Sequence, residues 1–139
     1  MANDGVLIEG NVLENNPTAH VMVIAYTQPY DDVRYNPYAR NVIVGRNAFG
    51  RGGDDPQLDG KEALLAAFGG ALPPVLWDGI VEDGNGLMIA EGVSGWTLNL
   101  SKPGQSFAEA QPGPLSLTPL VRYSFPEVGA PAALEARLK

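Results

Sequence analysis

Between Thr18 and Thr27, Val21, Val23 and Ala25 alternate with Met22, Ile24 and Tyr26, so both faces of an extended segment are apolar. A strand of that kind is expected at the centre of a sheet, covered on both sides, with Pro29 ending it. Val6–Leu13 is a second extended stretch, broken at Gly10 and closed by Asn15-Asn16-Pro17, a turn signal. Asn41–Gly45 reads as a short β-branched strand. The period then changes. Asp59 is a natural N-cap, Glu62 three residues on completes a capping box, and Ala63–Phe68 supplies good helix formers before Gly69-Gly70. The spacing predicts one helix over 59–68 whose broad apolar face packs on a sheet.

Val75–Val81, the turn signal Glu82–Gly86, Leu87–Glu91 and Trp96–Leu100 then predict a three-strand meander. From Ser101 to Pro131 prolines stand at 103, 112, 114, 119, 126 and 131, a pattern suited to sheet edges and extended chain. Leu115–Tyr123 is expected to add one edge strand, and Pro131–Lys139 a short terminal helix. No internal repeat is visible. The expected class is β-rich α+β, a sandwich or partly closed barrel with one packed helix. Residues 1–100 form its compact body, and 101–139 a proline-rich extended segment of the same unit.

Length fits one domain: 139 residues can bury a sizeable core. The chain has no cysteine, which excludes thiol catalysis and thiolate metal sites. A formal net charge of −7 works against binding to nucleic acid. Arg34, Arg40, Arg46, Arg51 and Lys61 cluster among Tyr30, Tyr35 and Tyr38, but Asp31, Asp32, Asp54, Asp55 and Asp59 balance them. No apolar run has the length of a membrane helix, and the N-terminus lacks the features of a secretory signal. These points predict no nucleic-acid or membrane partner and a cytoplasmic or virion-associated location.

Candidate chemistry is thin. Asp55-Pro-Gln57-Leu-Asp59-Gly60 copies the opening of a calcium loop, but Ala66 stands where a bidentate carboxylate is needed. Gly92-Val-Ser94-Gly-Trp96 lacks the second glycine of a nucleophile elbow, and His20 is the sole candidate base. Asp31-Asp32 can shift each other's acidity, yet beside Pro29 they read as a solvated turn. Gly50, Gly52 and Gly53 match neither nucleotide-binding fingerprint. No metal, cofactor or catalytic residue is expected.

The run Gly60–Phe68, followed by Trp77–Val81 and Leu87–Glu91, resembles the middle of cone-shaped α+β folds of the nuclear-transport-factor-2-like and ketosteroid-isomerase-like type. That resemblance implies a small-molecule pocket of isomerase or cyclase type under a curved sheet. His20, Phe68, Trp77 and Trp96 are the lining residues expected for it.

The leading expectation is different: a non-enzymatic structural or assembly protein, such as a small virion subunit of capsid-decoration or tail type. Its partners would be proteins, by self-association or within a larger assembly. Tyrosine and arginine favour interfaces, and extended arms gain stability by lying on a neighbour. The expected contact residues are Tyr30, Tyr35, Tyr38 and Arg40 in the tyrosine loop, with Pro112, Pro114, Leu115 and Tyr123 in the tail.

Overall fold

The computed structural model describes residues 4–82 and 85–116. Within them the chain winds through short extended segments that return above one another. β1 (Asp4–Ile8), β2 (Val12–Leu13) and β3 (Val21–Val23) make a first coil. β4 (Arg40–Val44), β5 (Ala48–Phe49) and β6 (Val75–Trp77) make a second, and β7 (Leu87–Ile89) with β8 (Gly95–Thr97) a third. Strands pair in parallel from coil to coil, giving sheets β1-β4-β7, β2-β5 and β3-β6-β8. β9 (Gly113–Pro114) adds antiparallel to β8. Among the described residues the protein is thus strand-rich with one α-helix, α1 (Lys61–Ala67), and its sheets do not close into a barrel.

The coils form a structural repeat that the sequence does not display. Asp4 pairs with Arg40, Val12 with Ala48, and Asn16 bridges to Gly52, all at a spacing of 36 residues. Ile8-Glu-Gly-Asn11-Val-Leu13 therefore lies on Val44-Gly-Arg-Asn47-Ala-Phe49, where only the asparagine is identical.

Two apolar cores sit on opposite faces of the β3-β6-β8 sheet. Val21, Val23 and Val75 face Val42, Val44, Leu87 and Ile89 across the interior of the coils. On the other face Met22, Leu76 and Trp96 meet Leu64 of α1 and Phe68 at its C-cap, together with Leu72, Ile80, Leu98 and Leu100. This layering corrects one expectation. Segment 18–27 is apolar on both faces because α1 covers its outer side, while β3 itself lies at the edge of its sheet.

The meander is also corrected. β6 joins the β3 sheet, β7 joins the β1 sheet, and β8 pairs with β6 in parallel. The residues flanking Glu82–Gly86 thus lead from one sheet to the other, since a coil must turn a corner where a hairpin would reverse. The hairpin on which the likeness to cone-shaped folds rests is not formed.

Helix α1 starts one residue later than the capping pattern indicates. Gly60 is its N-cap, at φ 78°, and no side chain caps it. Ala108 explains the choice: a Cβ at position 60 would stand 3.0 Å from its backbone nitrogen, so glycine lets the 107–109 turn pack on the helix start. Residues 101–116 lie on the body, with Phe107 against the second core and β9 along β8. The expected strand over Leu115–Tyr123 extends past the described residues, and the expected helix at Pro131–Lys139 lies outside them. Among the described residues no helix is long and apolar enough to cross a membrane.

Candidate functional site

The first coil presents the most unusual surface. β1, β2 and β3 each stand at one end of their sheet, so their outer edges face the same way. Among the described residues no strand pairs with those edges. In a strand, successive residues direct their N–H and C=O to opposite sides. Ile8 O accepts from Gly45 N at 2.8 Å, so the neighbouring Leu7 turns its amide and carbonyl to the open edge. Such an edge is a template for a further strand.

Apolar surface accompanies it. Leu7, Val12 and Ile24 are 40%, 75% and 36% exposed, and all belong to the first coil or its end. A cavity of about 150 Å³ lies between β1 and β3, walled by Val6, Ile8, Val21, Val23, Ala39 and Val42. These are interior side chains of the coil at the end of the stack.

The first coil is acidic. Asp4, Glu9 and Glu14 lie on the first coil, with no Lys or Arg before Arg34. Arg40, Arg46 and Arg51 lie on the second, and Arg40 reaches Asp4 at 3.2 Å. Asn41 Nδ2 donates to the other Asp4 oxygen at 2.9 Å. These bonds, Asn41's first and Arg40's next, hold the Asp4 carboxyl below its usual range.

At the corner after β1, Asn47 Oδ1 accepts from the backbone N of Asn11 at 3.0 Å and from its Nδ2 at 2.9 Å. Asn47 Nδ2 donates in turn to Ile8 O and Gly45 O. His20 bridges the coils nearby, through Asn16 Nδ2 and Gly50 O, with its ring 5.7 Å from that of Phe49.

A second feature is a cleft of about 740 Å³ on the helix side, bordered by Gln57, Lys61, Asp78, Ile80, Gln105 and Phe107 among others. Asp78 is only 3% exposed. Its Oδ2 accepts from Ala25 N at 2.6 Å and its Oδ1 from Ile80 N at 2.9 Å. Burial pushes its pKa up, against the lowering effect of those two amides. Both oxygens are engaged with backbone, so the carboxyl splices two loops as they leave β3 and β6.

The tyrosines of the 24–39 loop are brought together in part. Tyr30 and Tyr35 meet edge to face with ring centroids 4.7 Å apart, and Tyr26 joins Tyr35 at 5.6 Å. Tyr38 turns inward onto the second core, and Arg40 pairs with Asp4. Pro114 lies in β9 opposite Trp96, and Leu115 packs on the first core. Pro112 is half-buried just before β9, whereas Tyr123 lies outside the described residues.

The residues expected to line a pocket are dispersed. Phe68 and Trp96 stack at 5.3 Å in the second core, Trp77 packs on the first, and His20 sits at the coil bridge. None of the four borders the 740 Å³ cleft. Asp78, Asn11 and Asn47 escaped the sequence reading. A lone carboxylate inside the apolar run Val75–Val81 was the available signal for Asp78.

No protein-family model, curated protein or solved structure matches the chain.

Proposed function

We propose that the chain is a non-enzymatic structural subunit that works through protein–protein contact. The two sheets facing each other across the first core serve as a rigid, sandwich-like scaffold, and the end of the first coil is the docking surface. One observation carries this reading: among the described residues three unpaired strand edges share one end of the stack, beside a cavity of about 150 Å³ lined by aliphatic residues. Exposed apolar side chains grouped at such an end fit an interface better than a solvent face. A small virion subunit of capsid-decoration or tail type is a setting that uses such contacts.

The test places a photo-crosslinking residue at Val12, with the exposed Val33 of the tyrosine loop as comparison. Stoichiometric cross-links from position 12 to one defined chain, a second copy or another protein, support the reading. A folded protein in its native assembly that cross-links from neither position overturns it.

A second reading, a small-molecule-binding protein, is supported by the cleft beside Asp78. It calls for chemical-shift changes centred on Gln57, Lys61 and Gln105 when a small-molecule library is screened by NMR. Shifts confined to other surfaces count against it.

A further inference from the structure

We infer that Asn85-Gly86 is a self-modification site: the Gly86 nitrogen attacks the Asn85 side-chain amide, and the isoaspartate that results loosens β7 from β4.

Sequence and packing together single out this pair. Asparagine is chemically labile, most of all before glycine, whose missing Cβ leaves the following nitrogen open to ring closure. Asn85-Gly86 is the one Asn-Gly step in the chain. Packing demands the glycine, because a Cβ at position 86 would run into the Trp77 ring. Elsewhere the chemistry is obstructed. Asn16 and Asn36 precede proline, which has no amide to attack with, and Asn11 and Asn41 precede β-branched valine. The side chains of Asn11, Asn16, Asn36, Asn41, Asn47 and Asn99 are each held by a hydrogen bond. Asn85, by contrast, is exposed. Its carbonyl accepts from Asn41 N and that of Gly86 from Val42 N at 3.0 Å, whereas among the described residues no backbone acceptor takes the Gly86 N–H.

The new N–C bond expels ammonia and leaves a succinimide ring. Water then opens the ring, at the α-carbonyl to give isoaspartate or at the other carbonyl to give aspartate. One water is consumed and one ammonia released, with no change of oxidation state. In isoaspartate the main chain runs through the side-chain carbons, so it gains a methylene and the original carbonyl of residue 85 becomes a free carboxylate. Asn41 N loses its main-chain acceptor, and Gly86 is displaced from the Trp77 ring and from Val42. These contacts lead into the β4–β7 register, which opens with Val42 opposite Leu87. The third coil therefore loosens while the first two keep their pairing.

The experiment ages the full folded chain in mildly alkaline buffer beside Asn85→Ala and Asn85→Asp. Peptide mapping by mass spectrometry should find Asn85 converted several-fold sooner than any other asparagine, with isoaspartate the main product. In NMR the Trp77 indole signal should move in step with that conversion, while the signal of Trp96, in the second core, stays in place. Freshly prepared N85D carries the charge without the added methylene and should keep the Trp77 signal of fresh wild type. Aged N85A should keep it as well, which separates this site from the Asp83-Gly84 step before it. Conversion first at another asparagine, or conversion of Asn85 only after unfolding in urea, overturns the site. A Trp77 signal that stays put in the isoaspartate-bearing chain, or that moves equally in aged N85A, overturns the loosening of β7.

Discussion

Asn11 and Asn47 lie one above the other at the same corner of successive coils, the Nδ2 of Asn11 2.9 Å from the Oδ1 of Asn47. The lower asparagine thus depends on the upper one for its backbone amide as well as its side chain. Asn47→Ala removes that acceptor together with the donor to Ile8 O and Gly45 O. Urea denaturation should show a loss of about 1–3 kcal/mol, the range for a part-buried group left without partners. Asn11→Ala, which leaves the Asn47 bonds to Ile8 and Gly45 in place, should cost less.

Asp78 offers a test with a pH signature. In Asp78→Asn one side-chain oxygen becomes an NH₂ group facing the N–H of Ala25 or Ile80, and ~1–3 kcal/mol of stability should be lost. The folded protein holds the Asp78 proton more tightly than the unfolded chain, since burial raises its pKa. Its contribution to stability is therefore complete below the usual carboxylate value and is lost as pH rises through the raised, folded value. The stability difference between wild type and D78N, followed by urea titration across that window, should narrow with rising pH. A difference that widens would contradict the assignment of burial as the dominant cause.

Asp4 behaves in the opposite sense. Its lowered pKa stabilises the coil contact above the usual carboxylate value, and this is lost as pH falls through the folded value. Asn41 has φ 51°, so Asn41→Gly keeps the backbone comfortable while deleting the larger of the two bonds to Asp4. NMR titration of the Asp4 carboxyl should show its pKa rising further in N41G than in Arg40→Gln. High salt should shrink the R40Q effect, because the pair is exposed.

Gly53 fixes the segment that follows α1. It sits at φ 78°, donates to Asn16 O and accepts from Leu72 N at 2.8 Å. A Cβ there would run into the Leu72 carbonyl. Gly53→Ala should destabilise by more than ~1 kcal/mol, combining backbone strain with displacement of Leu72 from the second core. Thermal unfolding checks this, and Gly69→Ala, also at positive φ but with open space around it, should cost less.

Where extended chain occurs was legible in the sequence; which strand meets which was not. Val21–Val23, Arg40–Val44, Val75–Trp77 and Leu87–Ile89 all fall within stretches marked by β-branched and apolar residues. Their partners lie 20 to 54 residues away, and parallel pairing leaves no turn signature between them. Asp-Gly-Asn-Gly between β6 and β7 is a tight-turn signal, and such residues do not tell a chain that reverses from one that passes to another sheet. The edge of the first coil, which no described strand joins, was equally hidden, since pairing is a property of sheet order and leaves no mark in composition. The acidic character of residues 4–14 is readable in the sequence, whereas the basic and aromatic residues of 30–40 form the denser pattern.

The coil spacing also governs how the protein must fold. Among the described strands the closest-spaced pair, β8 with β9, spans 16 to 18 residues, and the rest span 20 or more. No strand pair among the described residues closes locally, so large loops must be ordered before any sheet stabilises them. Stopped-flow refolding should run in milliseconds to seconds, as for other topologies dominated by distant contacts. During that interval the β-rich segments remain unpaired, and dilution, more than temperature, should decide how much chain reaches the native coil.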